Sequence, residues 1–274
     1  MTTMDDVVAR LYSDSLGTEI YDPHSEAIAP RTTHEGDVPF FRRLAAEQGG
    51  PILEIGCGTG RVSSALAADG FDVVGIDLSP AMLRLAAERR ASLPSDVARR
   101  LSFTQGDMTS FDLGRRFALI VAPSRVFQFA LTSDLQRAAL RAMRAHLAPG
   151  GRLVLDLFDP ALEYVIPGSE FPLRRGELTH PKTGNRVEWE IVGREPDPAA
   201  QLVSSDWRAR ELGPSGEVLR DETERLTLRW STRAEMRLLF ELEGLKVIGD
   251  YGDFAGGPPV YGTEQVWVLG PAQR

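Results

Sequence analysis

One cysteine, Cys57, stands in a chain of 274 residues, so no disulfide can form within it and cysteine usage says nothing of the compartment. No apolar run approaches the roughly 20 residues that cross a bilayer as a helix. The first residues carry Asp5 and Asp6 and no apolar segment, so a secretory leader is not expected. Basic residues are outnumbered. The 31 Lys and Arg against 39 Asp and Glu leave a net charge of −8, and short pairs such as Arg42-Arg43 make no stripe for a phosphate backbone. No histidine stands beside a carboxylate at a spacing diagnostic of catalysis, and no metal site is expected. These absences leave a cytoplasmic enzyme or binding protein with no nucleic-acid or membrane partner. At 42% hydrophobic and 26% charged residues, the chain is long enough for one large α/β domain with an insertion.

A further absence lies in the stretch that organises the rest, Ile52-Leu53-Glu54-Ile55-Gly56-Cys57-Gly58-Thr59-Gly60. Ile52, Leu53 and Ile55 read as a buried parallel strand that stops in alternating glycines, and Arg61 to Ala68 then reads as a helix. Strand, glycine turn and helix leave backbone N–H groups at the helix start open to a ligand. The dinucleotide fingerprint would need a small residue at position 61, where Arg61 stands, and the third glycine falls at Gly60 instead. Glu54 sits badly beside a diphosphate but suits a ligand with an ammonium group.

This Glu-x-Gly-x-Gly-x-Gly pattern resembles motif I of the class I S-adenosylmethionine (AdoMet) methyltransferases. The resemblance implies that Glu54, Gly56, Cys57, Gly58 and Gly60 border the cofactor. Three more stretches fit. Asp77 ends a second strand, where an acidic side chain is placed to accept from both hydroxyls of a ribose, a feature shared with dinucleotide sites. Leu78 and Met82 flank an adenine in the same reading, and Ser79-Pro80 opens the next helix. Gly106-Asp107-Met108 follows a third strand and resembles the family's adenine-end motif, with Asp107 accepting from the exocyclic amine and the Met108 N–H donating to the ring. Leu147, Pro149, Gly150 and Gly151 resemble the turn before strand five, and His146 is expected to favour the preceding helix dipole.

The fourth strand, Phe117 to Val121, leaves through Ala122-Pro123-Ser124, so Ala122 should border the transferred methyl group. Family members that hold a planar nitrogen carry Asn/Asp-Pro-Pro-Tyr there. Its absence disfavours adenine or glutamine methylation and leaves a small-molecule acceptor with an N- or O-nucleophile. Ser124, Arg125 and Phe127 are candidate acceptor contacts. So is Trp189, with at most one of Trp189, Trp207 and Trp230 expected to touch substrate.

The resemblance implies an α/β fold with a Rossmann-like, seven-stranded, mostly parallel sheet and helices on both faces. Residues 37–160 and 231–274 would form the AdoMet-binding core. Residues 1–36 would form a cap, with Tyr21, His24, Arg31 and His34 as lid candidates and Tyr21 also touching cofactor. Residues 161–230 read as an inserted antiparallel meander of strands 186–192, 202–211 and 217–230, a surface that leaves a homodimer open. Thr232 to Glu235 is a capping box, and strands at 245–249 and 260–269 close the sheet. The implied chemistry is in-line methyl transfer with S-adenosyl-L-methionine. A general base is optional, and Tyr21, His34 and Tyr251 are the weak candidates. Three alternatives remain at this point: a non-methylating AdoMet cyclase or lyase, an AdoMet-binding module, and an NAD-dependent oxidoreductase.

Overall fold

The computed structural model describes residues 13–28, 36–169 and 174–272. Arg31, His34 and the amphipathic stretch around Val7 to Tyr12 lie outside the described residues. The chain enters through two short helices, α1 (Leu16–Glu19) and α2 (Tyr21–Ile28), followed by α3 (Asp37–Gln48). Strands and helices then alternate through β1 (Ile52–Ile55), α4 (Arg61–Ala68), β2 (Val73–Asp77), α5 (Pro80–Ser92), α6 (Ser95–Ala98) and β3 (Leu101–Gln105). The run continues through β4 (Phe117–Ala122), α7 (Ser133–Ala145) and β5 (Leu147–Phe158). After α8 (Leu162–Val165) come β6 (Arg175–Thr179), β7 (Arg186–Asp197), β8 (Leu202–Leu212) and β9 (Val218–Arg229). Helix α9 (Arg233–Leu242) and strands β10 (Leu245–Tyr251) and β11 (Glu264–Pro271) complete the fold.

Seven strands form one sheet in the order β10-β11-β5-β4-β1-β2-β3. The pairs from β5 to β3 are parallel, whereas β11 runs antiparallel to both β5 and β10. The central strands are buried on both sides, which is why β1 reads as an unbroken apolar run interrupted only by Glu54. One core cluster holds Leu53 and Ile55 with Leu140, Met143, Phe240 and Trp267. The other holds Ile52 with Phe40, Phe41, Val62 and Leu66. Helix starts follow the sequence. Ser79 accepts from the Met82 N–H at 3.1 Å with Pro80 in the first turn. Thr232 accepts from the Glu235 N–H at 3.2 Å, but Glu235 turns its carboxylate to Arg229 at 2.9 Å instead of completing a capping box.

The inserted sheet has four antiparallel strands, not three. The additional strand, β6, is only 5 residues long and stands at the sheet edge between proline-rich segments, so its own pattern is too short to announce it. Strand β5 begins at Leu147, earlier than the glycine pair suggests, and the last strand begins at Glu264. His146 caps the end of α7. Its Nε2 accepts from the Leu113 N–H at 3.1 Å, its Nδ1 lies 2.8 Å from the Ala142 carbonyl, and its ring stacks on Phe111.

Candidate active site

The glycine turn has the geometry its sequence implies. Gly56 and Gly60 sit at φ +63° and +77°, where a side chain is strained. A Cβ on Gly56 would lie 2.2 Å from Val126 Cγ2, and one on Gly60 would lie 2.8 Å from the Phe103 ring. Beside this turn a cleft opens at the carboxyl ends of β1 and β2, lined by Gly56, Gly58, Asp77, Leu78, Met82 and Met108. Asp77 is held by backbone. Its Oδ2 accepts from the Gly58 N–H and its Oδ1 from the Ser79 N–H, both at 2.8 Å. A carboxylate offers about four acceptor positions, so about two stay available to a ligand diol. Burial raises the Asp77 carboxyl above its ordinary range, and the backbone bonds from Ser79, Gly58 and Leu78 oppose that rise.

Other residues expected at the cofactor are close by without lining the cleft. Glu54 is 2% exposed beneath the turn and takes the Ser63 hydroxyl. Cys57 is buried against Gly75, and burial pushes its thiol well up. The Gly106 N–H donates to the Asp77 carbonyl at 3.0 Å, and Asp107 Oδ1 accepts from the Thr109 N–H and hydroxyl at 2.7 Å. Ala122 is buried in the core, and Pro123 meets the cleft instead.

A larger cavity of about 210 Å³ adjoins the cleft. Tyr21, Ser124 and Phe129 line both spaces and so form the junction. The far walls come from α2, which supplies His24, and from the inserted sheet, which supplies Trp189, Trp207, Glu222 and Glu224. Helix α2 is tied to both sides. Asp22 Oδ1 accepts from the Thr59 hydroxyl at 2.6 Å in the glycine turn and Asp22 meets Arg89 at 2.5 Å. From α1, the Leu16 N–H donates to Glu222 at 2.7 Å on the inserted sheet. Ser124 and Arg125 take left-handed backbone, φ 58° and 63°, where the chain turns away from β4. The Arg125 N–H donates to Asp156 at 3.0 Å, and its guanidinium meets Glu264 through two bonds of 2.9 Å and stacks over Phe158.

Several expected contacts are placed elsewhere. Phe127 is fully buried in the core, and Phe129 faces the cavity two residues later, because residues 126–129 form a single 3-10 turn. Both Trp189 and Trp207 line the cavity, while Trp230 is not part of it. Tyr251 packs on Phe40 beside α3, away from both spaces. Glu222 and Glu224 were missed. They stand in a strand of mixed charge, Arg220 to Arg229, and only pairing with β8 shows which of its charges face inward.

Residues 52–151 match the family described as a methyltransferase domain. The cypemycin N-terminal methyltransferase of a Streptomyces species is 30% identical over 256 residues, 93% of this chain and 96% of that protein. The chain belongs to the AdoMet-dependent methyltransferases. An AdoMet-bound amino pentose methyltransferase from Micromonospora echinaspora is 27% identical, with a TM-score of 0.62 over 86% of this chain and 90% of that one. A sugar N-methyltransferase from Streptoalloteichus, 22% identical over 96% of both chains with a TM-score of 0.71, shows the same fold. The enzyme is therefore a methyltransferase that uses S-adenosylmethionine. The cleft of this methyltransferase fits that ligand: apolar walls for a flat ring, a carboxylate with acceptor capacity left, and a glycine turn without side chains.

Burial also makes this methyltransferase pH-dependent at Glu54. Its carboxyl is pushed up to about 8 from 4.5, chiefly by burial, with the Ser63 bond opposing. A folded-state value above the unfolded one means that the contribution is fully present below about pH 4.5 and lost as the pH rises to about 8. Glu54→Gln is expected to remove that loss. In urea unfolding of the cofactor-free protein, its stability relative to wild type should be higher at pH 8 than at pH 5 by on the order of 2–4 kcal/mol. An unchanged difference at the two pH values would contradict this account.

Proposed function

We propose that the enzyme methylates an amine nitrogen of a small-molecule or peptide acceptor seated in the larger cavity. In this reading Gly56, Gly58, Asp77, Leu78, Met82 and Met108 hold the cofactor in the core, 37–160 and 231–274, and Asp107 and the Met108 N–H serve its adenine end. The cap, 1–36, and the insert, 161–230, bind the acceptor. When bound, S-adenosylmethionine supplies an electrophilic methyl group on a sulfonium, open to in-line displacement by a lone pair.

The observation that carries the reading is the charge of the cavity. Its two arginines are neutralised, Arg125 by Glu264 and Arg208 by Asp221; Glu222 is paired with Arg220, and Glu224 presents a carboxyl oxygen without a partner among the described residues. Such walls disfavour a carboxylate, phosphate or phenolate acceptor and favour an electropositive one. The chain's own groups mainly orient. Burial pushes the Tyr21 hydroxyl up to about 12, so it keeps its proton at neutral pH and donates rather than abstracts. Burial pushes His24 down to about 4, so it stands neutral and is a weak base. The acceptor nitrogen must therefore arrive unprotonated, having left its proton in water, and the apolar junction at Tyr21 and Phe129 favours that form. The names of the cypemycin N-terminal methyltransferase and of the sugar N-methyltransferase agree with a nitrogen acceptor.

The test offers the enzyme and S-adenosylmethionine a peptide with a free N-terminus, its N-acetylated form, an aminosugar, a phenol and a carboxylic acid. Mass spectrometry should find the added methyl group on the free amines and not on the acetylated peptide, phenol or acid. Methylation of the phenol or acid with the amines untouched would overturn the proposal.

A further inference from the structure

The walls of the larger cavity contain more polar recognition than the reacting nitrogen needs. Glu224 Oε1, His24 Nε2 and Trp207 Nε1 are all shut off from solvent and take no hydrogen bond among the described residues. These groups are neighbours. Trp207 and Glu224 sit opposite each other on β8 and β9, and the His24 ring stands edge-on to Trp207 at 5.2 Å and to Trp189 at 4.6 Å. The two indoles stack on each other at 5.8 Å. Trp189 Nε1 also lacks a partner, but it points at Gly176, where a Cβ would lie 2.9 Å away, so it belongs to the opposite strand and not to this corner. The fold makes room for the carboxylate: a Cβ on Gly17 of α1 would lie 2.5 Å from Glu224 Oε2. A buried polar atom without a partner costs free energy, and native proteins keep such groups where a ligand or water completes them.

The corner is set apart from the methyl-transfer point. Tyr21, Ser124 and Phe129 border the cofactor cleft, whereas His24, Trp207 and Glu224 line only the larger cavity. We propose that this corner is a second recognition point, which receives a hydroxyl or an ammonium of the acceptor remote from the reacting nitrogen: either donates to Glu224 Oε1, and a hydroxyl also has an oxygen to accept from the Trp207 Nε1–H. The acceptor is then bifunctional, with its apolar body against the indoles of Trp189 and Trp207. The inference rests on the amine-acceptor reading. Burial raises the Glu224 carboxyl, with Ser15 opposing and Glu222 adding to the rise, so an incoming donor stabilises the carboxylate against its burial.

Calorimetric titration of the protein loaded with S-adenosylhomocysteine tests this with cyclohexylamine, 4-aminocyclohexanol and 1,4-diaminocyclohexane as probes. At least one bifunctional probe is expected to bind about tenfold or more tightly than cyclohexylamine. Tighter binding of the alcohol identifies a hydroxyl as the natural group, and tighter binding of the diamine an ammonium. Glu224→Leu should reduce the preference to less than about twofold. Glu224→Gln should restore part of the preference for the alcohol but not that for the diamine. Glu224→Leu should also melt close to wild type, since it replaces, at similar volume, a buried carboxyl whose Oε1 has no partner among the described residues and gives up only the bond to Ser15. Equal binding of the three probes, a preference that survives Glu224→Leu, or no binding of any probe would overturn the inference. Methyl transfer to the same probes separates it from the reading beneath it. Preferential binding without any methylated amine sinks the amine-acceptor reading alone. Methylation of all three at equal kcat/KM sinks the second recognition point alone.

Discussion

Phe127→Ala is expected to lower unfolding free energy by about 3–5 kcal/mol, the range for deleting a fully buried aromatic ring from a close-packed core. Phe127 has no exposed surface and shares a core cluster with Leu53, Ile55, Leu157 and Phe240. Removing its ring leaves a void that the sheet above and the helices below are too constrained to fill. Urea denaturation measures the loss. Where the folded fraction remains high, S-adenosylmethionine affinity should change little, because Phe127 does not line the cofactor cleft. Phe129→Ala is the contrasting variant, since that ring faces both the cleft and the cavity. A Phe127→Ala protein of wild-type stability but altered acceptor binding would return Phe127 to the role its sequence position suggests.

Asp77→Ala is expected to weaken S-adenosylmethionine binding by about 1–3 kcal/mol, roughly 5- to 150-fold, from loss of the acceptors for a ribose diol. Two effects act together. The ligand's hydroxyls lose their partner, and the Gly58 and Ser79 N–H groups that Asp77 now holds at 2.8 Å are released, which loosens the glycine turn. Asp77→Asn separates them, because its amide oxygen can keep one backbone bond while its nitrogen cannot accept. Calorimetry on both variants checks the expectation. Unchanged affinity in Asp77→Ala would place the ribose elsewhere.

The cofactor half of the site was legible because it is local. Gly56, Gly58 and Asp77 each lie at a strand end, and their spacing alone says that backbone and carboxylate meet at one mouth. The acceptor half was not. Residues 126–129 are Val-Phe-Gln-Phe, and only the 3-10 turn decides that Phe127 is spent wholly in the core while Phe129 also reaches the cavity. Glu224 and Trp207 are 17 positions apart in the chain, and pairing of β8 with β9 makes them neighbours. Arg125 reads as an acceptor contact until Glu264, far along the chain, is found on its Nε and Nη2.

By itself, the sequence determined the order of strands and helices in the parallel core, the glycine turn and the acidic end of β2. These depend on short-range backbone geometry and on apolar runs that must be buried. Only the tertiary structure decided which charges of the inserted sheet face inward, that the two entry helices together bridge that sheet to the glycine turn, and that the arginines of the cavity are already neutralised. A strand's two faces differ by one residue of register, and an ion pair's partner is set by whichever segment packs nearby, so neither is written in the local pattern.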